Sequence, residues 1–383
     1  MPRLVGGALF VLLMVPFVEE RGSTILNPVP HSIHENNMMI QEGLTPIESL
    51  RIGSLTIPIP LVLAPMSGYT DSPFRTLCRA HGCGLVFTGL VSAAGIIFNN
   101  PRTLNYVHSN PEEHPVAAHI YGSSPEALAS AAQTIESLGQ FDLIDINCGC
   151  PVPKIMKKGA GAALMEDQEK VYRIVKVVSE AVSLPVTVKT RLGISPERVN
   201  ISEIAQVVEE GGASALFLHA RFASAGHAGS ADWDMLKRIV RERSIPIIGN
   251  GGVMSGHDAI DMLQRTSVAG VMIGRGAIGN PWIFEEARCL LTGETYKPPT
   301  VEKRRETIAA HLHSLFALMG EENARRKRPR PFTERATCHK FRGHLVKYLA
   351  GFPKKSAIRS RLMGLETIDA VLAAVDEILL SSH

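Results

Sequence analysis

Cysteine is scarce in this chain: six in 383 residues, at positions 78, 83, 148, 150, 289 and 338, with no C-x-x-C among them. A disulfide scaffold is therefore excluded, and neither a zinc-type nor a thioredoxin-like spacing is present. The expectation is no metal centre and a reducing compartment, the cytoplasm. Long apolar runs are also missing. No stretch reaches the ~18 to 20 residues needed to cross hydrocarbon, so no membrane partner is expected. Net charge is nearly absent at +3, while 45% of residues are apolar, a balance that excludes a disordered chain.

The N-terminus is the one segment that resembles a targeting signal. Arg3 precedes an apolar run from Val5 to Val18, but the run closes on Glu19, Glu20 and Arg21 with no small-x-small cleavage site. Residues 1–43 are expected to be a disordered leader and linker.

From residue 59 one pattern recurs eight times: a short β-branched apolar run, a loop, then an amphipathic stretch. The runs are Ile59–Ala64, Leu85–Thr88, Val116–Ile120, Leu143–Asn147, Val186–Thr190, Ala215–Ala220, Ile245–Asn250 and Gly270–Gly274. Such near-continuous apolar runs are what strands buried on both faces look like. Pro125–Leu138 and Gln168–Val182 repeat apolar residues at i, i+3, i+4 and i+7, as outer helices do. Eight β-then-α units predict an α/β fold, a (β/α)8 TIM barrel, over residues 44–291. Gly274, Gly276 and Gly279 match GxGxxG. They fall in the last unit, with no later strand to carry a ribose-binding acid, which argues against a Rossmann fold.

Beyond Leu291 the chain turns helical and basic. Ala324–Arg361 holds thirteen Lys or Arg and one acid, Glu334. That local +12 leaves −9 for the rest of a chain whose total is +3. Residues 292–383 are expected to form an all-helical C-terminal domain. Its run from Arg325 to Arg330, followed by HKFRGHLVKYLAGF at His339–Phe352, sets cations beside aromatics, the two ingredients of an RNA-binding face.

In a barrel, reactive groups gather at the carboxyl ends of the strands. Asn250-Gly251-Gly252 and Gly274-Arg275 close strands seven and eight. There, glycines let backbone N–H groups approach a phosphate, and Arg275 adds charge. Tight turns are the plainer alternative. Lys189, at the end of strand five, needs an anion if buried. A reduced flavin would suit it, and an ion pair with Asp145 is the alternative. Cys150, between Gly149 and Pro151, is either a proton donor or, beside Lys154, Lys157 and Lys158, a nucleophilic thiolate. Cys148 reads as a packing residue. Asp71-Ser72-Pro73 reads as a helix start, and Trp233 and Trp282 as core.

With these residues in view, the chain resembles the tRNA-dihydrouridine synthases, FMN-containing barrels with a C-terminal helical domain. The motifs are LAPMSGYTDSPFR at Leu63–Arg75, DINCGCPVPKIMKKGAGAALM at Asp145–Met165, VKTRLG at Val188–Gly193, GNGGV, MIGRGAIGNPWIF and HLVKYLAGFP at His344–Pro353. The resemblance implies FMN-dependent reduction of uridines in tRNA to 5,6-dihydrouridine, with NADPH (or NADH) as reductant; it implies no stable protein partner. It makes Cys150 the acid that protonates C5 while flavin N5 delivers hydride to C6. Pro65, Met66, Ser67, Lys189 and His219 would then contact the flavin, and Asn250, Gly251, Gly252, Gly274 and Arg275 its phosphate. Asn147 and Arg191, with Arg326, Lys340, Arg342 and Lys347 of the tail, are the candidates for contacting RNA.

Two positions depart from the pattern. His119 stands where the family usually has Gln, again facing the cofactor, and the usual H-G-R-T is here His219-Ala220-Arg221-Phe222. The rival readings are a small-molecule flavin oxidoreductase of the dihydroorotate or dihydropyrimidine dehydrogenase type, and a tRNA-binding protein without turnover.

Overall fold

The computed structural model describes residues 49–325, 328–329, 331–352 and 360–380. The leader expected over 1–43 and the candidate Arg326 lie outside them. Pro46–His383 forms one compact unit. Eight parallel strands build the expected barrel: β1 (Leu61–Leu63), β2 (Val86–Phe87), β3 (Val116–Tyr121), β4 (Leu143–Cys148), β5 (Val186–Arg191), β6 (Ala215–His219), β7 (Ile247–Asn250) and β8 (Gly270–Ile273). Their order is β1-β8-β7-β6-β5-β4-β3-β2, and a bridge between Val62 and Leu85 closes the ring.

Eight helices of five or more residues surround it: α1 (Ser72–Ala80), α2 (Ala93–Ile97), α3 (Pro125–Ser137), α4 (Gln168–Ala181), α5 (Ile201–Glu210), α6 (Trp233–Glu242), α7 (Gly256–Thr266) and α8 (Ile283–Thr292). Asp71 caps α1, accepting from the Phe74 amide, with Pro in the first turn as the sequence suggests.

The period of two along each strand sorts side chains into two cores. On β4 and β6, Leu143, Ala215 and Phe217 point into the barrel, with Ile248 and Met272 from β7 and β8. Ile144, Ile146, Cys148, Leu216 and Leu218 point outward to the helices. Cys148 is thus a packing residue, and burial pushes its thiol up to about 12. A hairpin, Leu50–Ile52 with Leu55–Ile57, adds Leu50, Ile52 and Ile57 to the inner core. Continuing the parity towards the carboxyl ends, the inner face of the ring receives His119, Asp145, Asn147, Lys189, Arg191, His219 and Asn250. These polar groups lie where the strands open.

Among the described residues, three further long helices follow, α9 (Val301–Ala324), α10 (Glu334–Tyr348) and α11 (Ile368–Leu380). They share a core of Ile308, Leu312, Leu315, Phe341, Leu345, Tyr348 and Val375 with Trp282 of the barrel. Glycines set how closely α10 approaches. A Cβ at Gly279, where φ is +63°, would stand 2.6 Å from Lys347 Cβ, and one at Gly343 would stand 2.8 Å from the Tyr69 ring. The last glycine of the GxGxxG match is therefore a docking residue. No described helix is long and apolar enough to cross a membrane.

Candidate active site

The strand ends surround a cavity of about 630 Å³. It is lined by Pro65, Met66, Ser67, His119, Asn147, Cys150, Lys189, Arg191, His219, Asn250, Gly251, Gly252, Gly274, Arg275 and Lys347. The described sequence candidates thus converge on one space, except for two tail residues. Lys340 instead pairs with Asp71 at 3.0 Å, on the cap of α1. Arg342 lies outside the lining and its Nε is buried without a partner. Arg326 is among the residues not described.

Parallel register places the polar groups in rows. His119 is level with Asp145, and Asp145 with Thr187. Asp145 is fully buried, and its two oxygens accept from His119 Nδ1 at 2.5 Å and Thr187 Oγ1 at 2.6 Å. With Nδ1 donating, His119 Nε2 is the acceptor for the Asn147 amide at 2.9 Å. Asn147 Oδ1 then accepts from the backbone N–H groups of Gly149, 3.1 Å, and Cys150, 3.0 Å. One chain of bonds therefore runs from Thr187 to the Cys150 loop. Gly161, with φ +64°, lets the chain turn beneath that loop, because a Cβ there would stand 2.7 Å from the Cys150 carbonyl oxygen.

Asp145 is thereby occupied, and the alternative ion pair with Lys189 does not form. Lys189 donates to Asn250 Oδ1 at 3.1 Å, and Asn250 donates onward to the Met272 carbonyl at 2.7 Å. Burial pulls the Lys189 ammonium down to about 8, helped by Arg191 and opposed by Asp145 and Cys150. Arg191 reaches three carbonyls: Gly149 at 3.0 Å, Phe222 at 3.0 Å and Gly226 at 2.8 Å. It ties the Cys150 loop to the loop after β6. Arg221 holds that same loop through the Gly229 carbonyl, at 2.9 and 3.1 Å, and meets His219 Nε2 at 3.2 Å.

Five cations, Lys189, Arg191, Arg221, Arg275 and Lys347, face this cavity, and among the described residues none forms an ion pair with a carboxylate. Burial first, then this cluster of charge, holds His219 far below the usual histidine range and His227 at about 4. A site of this kind is completed by an anion. Beside it, Gly251 and Gly252 have φ of +113° and +87°. A Cβ at Gly251 would come within 2.8 Å of the His219 ring, so only glycine leaves this backbone open. Trp233, expected as core, donates to the Gly251 carbonyl at 3.0 Å and braces the same turn.

Cys150 is the one cysteine of the six that is not buried. Lys154, Lys157 and Lys158 are exposed and absent from the lining, so they do not form the cationic surroundings that the thiolate reading requires. Sequence reasoning missed Thr187, Arg221, His227 and Trp233, and treated Asp145 only as a partner for Lys189. Strand parity was the available signal for Asp145 and Thr187.

The fold and the cavity define a class: a (β/α)8-barrel enzyme whose strand ends deliver a thiol, a histidine–carboxylate pair and a cluster of cations to a single space. The dihydrouridine synthase (Dus) family model matches residues 62–382. A probable tRNA-dihydrouridine synthase of Mycobacterium tuberculosis is 35% identical over 353 residues, 89% of this chain and 87% of that protein. The tRNA-dihydrouridine synthases B of Xanthomonas axonopodis pv. citri and Pseudomonas aeruginosa are 36% and 35% identical, each across 85% of this chain and 94% of the relative. Among solved structures, morphinone reductase aligns with a TM-score of 0.48 at 13% identity, over 68% of this chain and 92% of that one. The chain belongs to the dihydrouridine synthase family and is an oxidoreductase.

Proposed function

We propose that the protein reduces uridine to 5,6-dihydrouridine in tRNA, with FMN held in the barrel cavity, NADPH or NADH as reductant and Cys150 as the proton donor. The observation that carries this reading is the position of Cys150, the one accessible thiol, on the lining of a cavity whose cations lack carboxylate partners. Membership of the family supports the uridine substrate.

The residues present fit a flavin mononucleotide. Arg275, Arg221 and the open backbone of Gly251, Gly252 and Gly274 suit its phosphate. Lys189, oriented by Asn250, suits the electron-rich edge of the ring, where an anion would restore the charge that burial weakens. Pro65, Met66 and Ser67 supply the wall, and His119 and His219 flank it. When bound, the flavin supplies the hydride that reaches C6 of the uracil ring.

Cys150 gives the matching proton from Sγ to C5, and the thiolate left behind stands in the field of Lys189 and Arg191 until solvent reprotonates it. Asn147 and Arg191 hold the loop that carries this thiol. Lys347 brings positive charge from α10 to the mouth, and the basic tail neutralises tRNA phosphates. The reaction belongs in the cytoplasm, where the thiol stays reduced.

The test is anaerobic. The purified full chain is bleached with NADPH and then given tRNA lacking dihydrouridine. Return of the flavin colour, with dihydrouridine found in the digested tRNA, supports the synthase, whereas a colourless protein that still retards tRNA would leave only binding. Cys150→Ala should keep its flavin and lose about 100-fold or more in turnover. Full activity in that variant would sink the acid assignment.

A further inference from the structure

His119 lies on β3 within the cavity lining, and its bonds suggest what the ring does here. Both nitrogens are engaged within the protein: Nδ1 on Asp145 and Nε2 on the Asn147 amide. The ring is 3% exposed and Asp145 is fully buried, so neither bond is exchanged for water. We propose that His119 is a positioning residue for Cys150, acting through Asn147: by accepting the Asn147 Nδ2–H it holds that amide with Oδ1 towards the Gly149 and Cys150 N–H groups.

An amide has two orientations, and only one of them serves the loop. With Oδ1 turned to the loop, Asn147 satisfies two backbone donors. Turned over, it would present Nδ2–H to those donors and leave both unbonded in a half-buried setting. His119 decides between the two because its Nε2, with Nδ1 protonated towards Asp145, only accepts. Asp145 fixes the tautomer, and Thr187 fixes Asp145 in turn. The rows that bring these groups level are set by strand register, so the device belongs to the barrel wall and the thiol-bearing loop rests on it.

The idea rests on the proposed role of Cys150, but its test needs no turnover. The five other cysteines are buried, so iodoacetamide reports on Cys150 in the native full-length chain. The measurements are its alkylation rate and the amide exchange of the segment containing Gly149 and Cys150, with any bound flavin removed. His119→Leu, which fills the space without an acceptor, should raise both rates about tenfold, roughly what one hydrogen bond of ordinary strength accounts for. His119→Gln, which can accept again, should return both to the parent values.

Asn147→Ala should match His119→Leu, and the double variant should be no faster than either single one. Should His119→Leu not fold by circular dichroism, His119→Ile is the second acceptor-free replacement. Unchanged rates in the acceptor-free variants, or additive effects in the double variant, overturn the proposal. An inactive parent enzyme with the expected rate pattern would instead count against the proposed function alone.

Discussion

Acid should loosen the seam between the barrel and its helical tail, through His344. This histidine lies on α10, 2% exposed, with neither ring nitrogen in a well-formed hydrogen bond. Rings pack round it: Phe74 at 4.5 Å, His311 at 4.7 Å, Tyr69 at 5.2 Å and Phe341 at 6.1 Å between centroids. Burial, and to a lesser degree Lys340, pulls it down to about 4, with Asp71 and the Tyr69 backbone opposing. His311 beside it, with one nitrogen against the Tyr348 hydroxyl at 3.0 Å, is pulled down by burial as well.

A histidine that stays neutral when folded leaves the unfolded chain holding more protons below its free pKa of about 6.5. Stability is therefore whole above that pH, falls by about 1.4 kcal/mol per pH unit below it, and stops falling near the folded value of about 4. Between pH 7 and 5, His344 alone should remove about 2 kcal/mol, and His311 adds a loss of the same sign. Other carboxylates and histidines titrate too, so the quantity to measure is a difference between proteins. Urea unfolding at pH 7 and pH 5 is compared for the parent and His344→Phe, whose ring fits the aromatic surroundings and does not titrate. The variant should lose about 2 kcal/mol less than the parent over that interval. Identical losses would show that His344 takes up no proton on unfolding and would refute the reasoning.

Two further outcomes follow from packing. Gly279→Ala forces a Cβ into the α10 backbone near Lys347 at a φ of +63°, and should cost about 2 to 3 kcal/mol by denaturant midpoint. Gly293→Ala, at φ +72° with nothing within 4 Å, should lose only about 1 kcal/mol, and equal losses would show that close approach is irrelevant. Glu113→Gln removes the carboxylate from an Arg75 that is 4% exposed and also holds the carbonyls of Thr70 and His108, each at 2.8 Å. Urea melts should show a loss of about 3 kcal/mol or more, larger than for the paired change Arg75→Met with Glu113→Leu; a loss under about 1 kcal/mol would refute the view of a buried charge left alone.

Much of the fold was legible because a strand buried on both faces has a simple signature. The expected run Val186–Thr190 is the strand Val186–Arg191, and Pro125–Leu138 is the helix Pro125–Ser137. Site residues were legible where they close a strand, since that end of the barrel is the open one. The partner of each was not. Asp145 sits three residues before Cys148 and gives no sign of facing His119, because that pairing depends on the register between β3 and β4, a property of two segments 26 residues apart. The targets of Arg191 and Arg221 are backbone carbonyls in a loop, which any sequence supplies.

Charge counting shows the same division more sharply. The +12 over Ala324–Arg361 suggests one continuous basic face, yet Arg325, Arg335, Lys340 and Arg361 are each paired with a carboxylate, Glu321, Glu366, Asp71 and Glu377. The three exposed pairs, of Arg325, Arg335 and Arg361, add little stability, and the effect of all four is to lower the field that the tail presents. Lys347 is different: it lines the cavity and forms no ion pair among the described residues. What puts it there is steric, the close approach of α10 permitted by Gly279 and Gly343. The positive charge that α10 brings to the mouth therefore rests more on two glycines than on the number of lysines and arginines in the tail.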